Sequence, residues 1–334
     1  MNRKETPEIL APAGSFASLS AALNAGADAV YFGVGKLNMR ARAAKGFSID
    51  DIPAVAETCA SRGAAAYLTL NTLVYDRELE HMKEICRAAK EGNITAVIAA
   101  DWAVINYLNT IGMPVHISTQ TNVSNIDAVE FFSGYADAVV LARELTLEQV
   151  AGICATVKKR SIRGPSGNLL RIETFIHGAL CVSVSGKCYM SLANTGHSAN
   201  RGDCFQTCRR AYRVTDEQTG EELVIDNKYV MSPADLCTVG IIDRLIQAGV
   251  SIFKIEGRGR STDYVSRTVT VYRNAVDSVQ NNTYSREKIK QWTEELKTVF
   301  NRNFWMDGYY LGKPMGEWSE SYGSRATEQK VFSG

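Results

Sequence analysis

The stretch Glu8-Ile9-Leu10-Ala11-Pro12-Ala13-Gly14-Ser15 sets the pattern for the chain. A short apolar run ends at Ala13-Gly14. Ser15 is placed to cap a helix over Phe16–Asn24, and Gly26 stops it. A second apolar run follows at once over 29–34. Ser48-Ile49-Asp50-Asp51 opens another helix, which runs to Arg62 with Gly63 behind it. Further apolar runs lie at 65–71, 96–101, 115–119, 138–143, 172–177 and 252–256, separated in the first half by helical patterns of about 10–15 residues. Strands apolar on both faces that alternate with helices form a parallel sheet covered on both sides. Eight such units predict an α/β fold, a closed (β/α)₈ TIM-like barrel over residues 1–284.

One region breaks the rhythm. Residues 178–240, after the seventh strand, are rich in Gly, Ser, Cys, Arg and Asn. An insertion of about 60 residues in a compact barrel is usually functional. Inside it the sequence predicts a hairpin, with strands over 211–214 and 222–225 around a turn at 216–220. Residues 285–334 form a second unit: an amphipathic helix, then an aromatic tail with Phe304-Trp305 and Tyr309-Tyr310. The end, 326–334, reads as the start of a strand that the sequence does not complete.

Composition narrows the function classes. The chain has 334 residues, 45% of them hydrophobic, and a net charge of +1. There is no global polyanion-binding signature, so any nucleic-acid site is a local patch. No run approaches the roughly 18 apolar residues of a membrane span. The start, Met1-Asn2-Arg3-Lys4-Glu5, is polar and lacks the apolar core of a secretory signal, which points to the cytoplasm. Eight cysteines in a reducing compartment are not expected to form disulfides. Cys59, Cys86 and Cys154 sit singly in helical patterns and read as small core residues.

The other five cysteines cluster: Cys181, Cys188, Cys204, Cys208 and Cys237. Thiolates are soft ligands that select zinc, copper(I) or iron–sulfur clusters. Structural zinc usually shows paired short spacings, and only Cys204–Cys208 fits that pattern. The uneven loop spacing suits a cubane cluster better, with zinc as the alternative. The insertion starts on the face where barrel active sites are built. The same rim carries His177, Glu256 and Asp101 as candidate acid–base groups, and Asn71, Gln120 and Arg143 as substrate contacts. Arginines concentrate in three loops, with Arg40 and Arg42, Arg201 with Arg209 and Arg210, and Arg258 with Arg260, as candidate anion or phosphate ligands. Gly33-Val34-Gly35 and Gly257-Arg258-Gly259 lack the spacing of a nucleotide fingerprint. No hydrolase signature is present.

The run from Glu173 through His177, Gly178 and Cys181 to Gly186, Cys188 and Ser191 resembles the signature of the peptidase U-thirty-two (collagenase-like) family. So do the blocks 9–14, 26–33, 200–204, 232–237 and 254–258, which together span nearly the whole chain. Despite the protease label, the resemblance implies an oxygen-independent hydroxylase holding a [4Fe–4S] cluster. The nearest branch is the prephenate-dependent tRNA uridine hydroxylases, which form 5-hydroxyuridine at the wobble position. It implies tRNA as partner, a small anionic co-substrate such as prephenate, and zinc in place of the cluster in preparations made in air. It assigns Cys181, Cys188 and Cys204 as ligands. The fourth is Cys237 or Cys208, with Cys237 favoured. Members of this branch carry an extra C-terminal β-module. A collagenase-like peptidase, or a cluster-bearing accessory subunit beside a redox or hydroxylase partner, stand as alternatives.

Overall fold

The structure is a computed structural model that describes residues 6–42, 46–222, 229–312, 318–319 and 323–328. Seven strands follow one another, each pairing parallel with the last: β1 (Glu8–Pro12), β2 (Ala29–Gly33), β3 (Ala65–Leu70), β4 (Ala96–Ala99), β5 (Val115–Ile117), β6 (Ala138–Val140) and β7 (Arg171–Gly178). The eighth barrel strand, β9 (Ile252–Ile255), pairs parallel with both β7 and β1 and closes the ring. This is the TIM-like barrel that the apolar runs predict.

Several helices between the strands begin at side-chain caps. Ser15 and Ser18 make a reciprocal capping box at α1 (Phe16–Asn24), and Thr146 and Gln149 make another at α6 (Leu147–Arg160). The sheet's outer face packs on the helices as one apolar core. Cys59, Cys86 and Cys154 are buried in it, and burial pushes their thiols up, to about 11 for Cys59 and about 12 for the other two. A smaller cluster of Leu10, Tyr31, Tyr67, Ile98 and Ile252 belongs to the strands' opposite face, inside the barrel.

Two strands lie beyond the eight predicted. β8 (Asp235–Cys237) pairs antiparallel with the end of β7, and β10 (Phe304–Met306) pairs parallel with β8. Trp305 is fully buried there, and the Tyr310 hydroxyl donates to the Phe175 carbonyl at 2.7 Å. The helix α10 (Arg286–Thr298) packs on α9 (Thr262–Gln280). The aromatic tail is therefore tied to the barrel wall. Of the predicted hairpin, the described residues include one antiparallel bridge, Thr215 to Glu222, and most of its second strand lies outside the described residues. Residues 326–328 form no strand, and 329–334 lie outside the described residues. Among the described residues no helix is long and apolar enough to cross a membrane.

The chain leaves β7 at Gly178, and here the glycine is required. Its φ is +105°, and a Cβ would stand 2.7 Å from the Glu256 carbonyl oxygen and 3.1 Å from the Tyr264 hydroxyl. That tight exit directs residues 179–209 across the barrel mouth.

Candidate functional site

A cavity of about 190 Å³ opens at the C-terminal ends of the strands. Cys181, Cys188, Cys204 and Cys208 all line it. Backbone contacts hold the loop that carries them. Arg143 donates to the Ala179 carbonyl at 2.9 Å, and Asn122 to that of Ser185 at 3.3 Å. The Phe205 amide donates to the Ser191 hydroxyl at 3.0 Å, which ties the Cys188 turn to the Cys204 turn. Buried Arg209, beside Cys208, donates to the Ser232 hydroxyl at 3.0 Å and the Leu180 carbonyl at 2.6 Å.

Cys237 stands apart. It is fully buried in β8, the Tyr272 hydroxyl donates to its sulfur at 3.9 Å, and it does not line the cavity. Burial pushes its thiol up to about 12. The fourth thiol at the cavity is thus Cys208, not the favoured Cys237. Linear spacing could not separate the two, because β8 carries Cys237 back into the wall. Among the described residues no three His, Cys, Asp or Glu side chains close around a single ion position. In a cubane each cysteine binds a different iron, so its ligands need not converge on one point.

The cavity is strongly cationic. Arg40, Arg143, Arg209, Lys254, Arg258 and Arg260 line it, against one carboxylate, Glu256. Arg40 grips one Glu256 oxygen through Nε at 3.0 Å and a terminal nitrogen at 2.8 Å. Burial works against the Glu256 charge, but Arg40, Arg260 and Arg143 prevail and hold it down at about 2. Glu256 is therefore a fixed anion. Arg258 has only neutral partners, Asn38 at 3.0 Å and Thr69 at 2.6 Å, and burial brings it down to about 10. Arg143 is likewise lowered by burial and lies 3.9 Å from the centre of the Phe175 ring. Arg258 is buried and Arg143 half-buried, and among the described residues neither has a carboxylate in hydrogen-bond contact.

The family model for peptidase family U32 matches residues 14–320. The chain belongs to peptidase family U32. A Porphyromonas gingivalis protein named collagenase is 51% identical over 327 residues, spanning 98% of this chain and 79% of that protein. The tRNA hydroxylation protein P1 of Bacillus subtilis is 32% identical, spanning 96% of this chain and 74% of its own length. A 23S rRNA 5-hydroxycytidine synthase of Escherichia coli is 36% identical over 274 residues, 81% of this chain and 39% of that protein. Within U32, names alone therefore point both to proteolysis and to RNA chemistry.

In this U32 chain the predicted substrate residues Arg40, Asn71, Gln120, Arg143 and Arg258 meet at the cavity. Asn71 accepts from the Met39 amide at 3.1 Å and donates to Ser118 at 3.3 Å, and among the described residues the buried Gln120 carbonyl oxygen has no hydrogen-bond partner. Arg42 and Arg201 do not line the cavity. Arg42 stacks on Phe205 at 3.6 Å, while Arg201 pairs with Glu78 and covers Tyr75 at 4.1 Å. Asp101 is a helix cap, accepting from Ala103 at 2.8 Å and from Val74 at 3.0 Å. That is a structural role and not an acid–base one.

His177 requires a correction. Strict alternation along β7 would put it with Glu173 and Phe175 inside the barrel. The β7–β9 register shifts between Phe175 and His177, and the extra residue turns His177 outward. Its ring packs against Tyr264, Tyr272 and Phe304, with Nδ1 3.3 Å from the Tyr272 hydroxyl. Burial holds it down at about 3, so it is neutral and away from the cavity. The unfolded chain takes up a proton near pH 6.5 that the native state refuses. Stability should fall as pH drops from about 6.5 toward 3. His177→Phe is expected to flatten that slope in denaturation midpoints measured across pH.

Sequence reasoning missed Lys254, Tyr31, Phe175 and Thr69 in the lining, and its arginine loop after the eighth strand supplies Arg260 as well as Arg258. The period-2 alternation of 252–256 held the signal for Lys254, which shares the inward face with Ile252 and Glu256.

Proposed function

We propose that this U32 chain is an iron–sulfur-dependent, oxygen-independent RNA hydroxylase, acting on a pyrimidine of tRNA, with the wobble uridine as the leading target. The observation that carries the reading is the convergence of four cysteines and six cations on one cavity at the barrel mouth. The donor set fits a cluster: four soft thiol ligands from one loop, around a cavity and not at a point. Arg40 stands close enough to Cys204, and Arg143 to Cys181, to feel their charge, and Arg209 stands beside Cys208. Those cations would offset the negative charge of a thiolate-ligated cluster. Cys181, Cys188, Cys204 and Cys208 would hold it, and it would supply one-electron chemistry at the mouth.

The remaining residues bind and orient. Arg143 and Arg258 suit the carboxylates of a small anionic co-substrate of the prephenate type. Glu256 fixes the Arg40 guanidinium, and Tyr31, Ile98 and Phe175 present apolar walls that exclude water. Peptide hydrolysis finds little support here. No histidine lines the cavity among the described residues, and Glu256 is committed to Arg40, so no nucleophile–base pair is poised. The relatives named for tRNA and rRNA hydroxylation fit a cavity built for anionic, planar ligands.

The test is a nucleoside digest of tRNA and rRNA from cells with and without the gene, resolved by mass spectrometry. Loss of 5-hydroxyuridine, its derivatives or 5-hydroxycytidine in the deletion strain, restored by the gene, is expected. An unchanged profile would sink the assignment.

A further inference from the structure

We propose that Lys254 floors a subsite deeper than the cysteines, which takes the neutral carbonyl oxygen of a pyrimidine base drawn out of its stack. The proposal rests on the RNA-modifying reading above. Lys254 is 5% exposed yet lines the cavity, pointing inward from β9. An ammonium group has three donors. One goes to Glu173 Oε1 at 2.5 Å, and among the described residues no other acceptor is bonded to it. Buried donors are almost always filled, so a ligand atom is expected there. Glu173 is itself fully buried, with His116 Nδ1 3.7 Å from its second oxygen, so the amine is fixed in place.

The surroundings select the ligand. The Tyr31 and Phe175 ring centroids lie 4.7 and 5.7 Å from the Lys254 nitrogen, and Ile98 and Thr69 line the same cavity. Aromatic faces flanking a single donor suit a flat ring with a carbonyl at its edge. The Lys254–Glu173 pair is electrically neutral, so it has no surplus charge for an anion. That surplus belongs to Arg143 and Arg258, attached at the strand ends nearer the mouth. A neutral acceptor on a flat ring at Lys254 and an anion at the two arginines is the arrangement that balances charge. Uracil and cytosine both carry the required carbonyl.

Two short single-stranded RNAs that differ at one position, uridine or an abasic site, provide the probe. Binding to the full cluster-loaded chain is read by fluorescence anisotropy under anaerobic conditions. Lys254→Met alone strands the Glu173 charge, so the double variant E173Q/K254M is compared with wild type, and its iron content is measured alongside. Wild type is expected to prefer uridine by about tenfold, the worth of one charge-assisted hydrogen bond. In the double variant, with iron content unchanged, the preference should collapse toward one. A double variant that keeps the preference overturns the proposal. If wild type itself shows no preference and the cellular nucleoside profile is also unchanged by deletion, the RNA reading has failed beneath it. If the profile changes and the preference is absent, only the Lys254 subsite has failed.

Discussion

Lys254→Met should cost about 3–5 kcal/mol of folding stability at neutral pH, because it leaves the Glu173 carboxylate buried and unpaired. Glu173 has no solvent exposure, and among the described residues the group nearest its second oxygen is His116 Nδ1, at 3.7 Å and beyond hydrogen-bond distance. Replacing both partners, as in E173Q/K254M, should recover most of the loss, since neither charge then remains stranded. The pH dependence separates the variants. In wild type, burial opposes the Glu173 charge, but Lys254 and His116 prevail and hold it at about 2, below the ordinary ~4.3. Its contribution is complete above the unfolded value and is lost as pH falls from about 4.3 toward 2. In Lys254→Met the main cation is gone and burial dominates, which raises the carboxyl above its ordinary range. Relative to wild type, that variant should gain stability on mild acidification, while the Glu173 contribution in wild type holds until about pH 4.3 and is lost below it. Urea midpoints from pH 7 to about 3 check both signs, and parallel curves would refute the charged pair.

Glu256→Gln is expected to lower stability by about 2 kcal/mol, less than a fully buried pair would, because the Arg40 side chain is 30% exposed. Its larger effect should be on function. Arg40 loses both hydrogen bonds to Oε1 and is no longer held at the cavity, and a displacement of that kind can cost about 100-fold in rate. Glu256 was expected from the sequence to act in acid–base chemistry. Held at about 2, it stays ionised throughout the working range and donates no proton. The variant's residual activity should therefore keep the wild-type pH profile between about 6 and 8. Quantifying 5-hydroxypyrimidines in cells complemented with each form tests the size of the loss, and assays across pH test the shape.

The barrel was legible in the sequence because its eight strands lie in apolar runs that alternate with helices, so even the three-residue β5 and β6 are marked by their place in the alternation. β8 and β10 were not, because they lie outside that alternation, in the Cys-rich insertion and the tail, and their pairing depends on the β7 exit. The cavity was partly legible. Polar residues just past strand ends, such as Asn71, Gln120 and Arg143, met there as the barrel rule requires. His177 and Asp101 sit at equally suggestive positions and do other work, one turned outward by a bulge and the other capping a helix. A register shift of one residue and a local cap are set by tertiary contacts that one-dimensional spacing does not record. The same holds for the cysteines. Five close in sequence divide in space into four at the cavity and one in the wall.

That division is the most direct point of attack on the account. Iron and acid-labile sulfide per chain should be measured after anaerobic reconstitution of wild type, Cys208→Ser and Cys237→Ser. The account predicts about four of each in wild type, as a cubane requires, with little change in Cys237→Ser and a marked loss in Cys208→Ser. Full loading of Cys208→Ser with loss in Cys237→Ser, or a wild-type protein that takes up zinc and no sulfide, would contradict it.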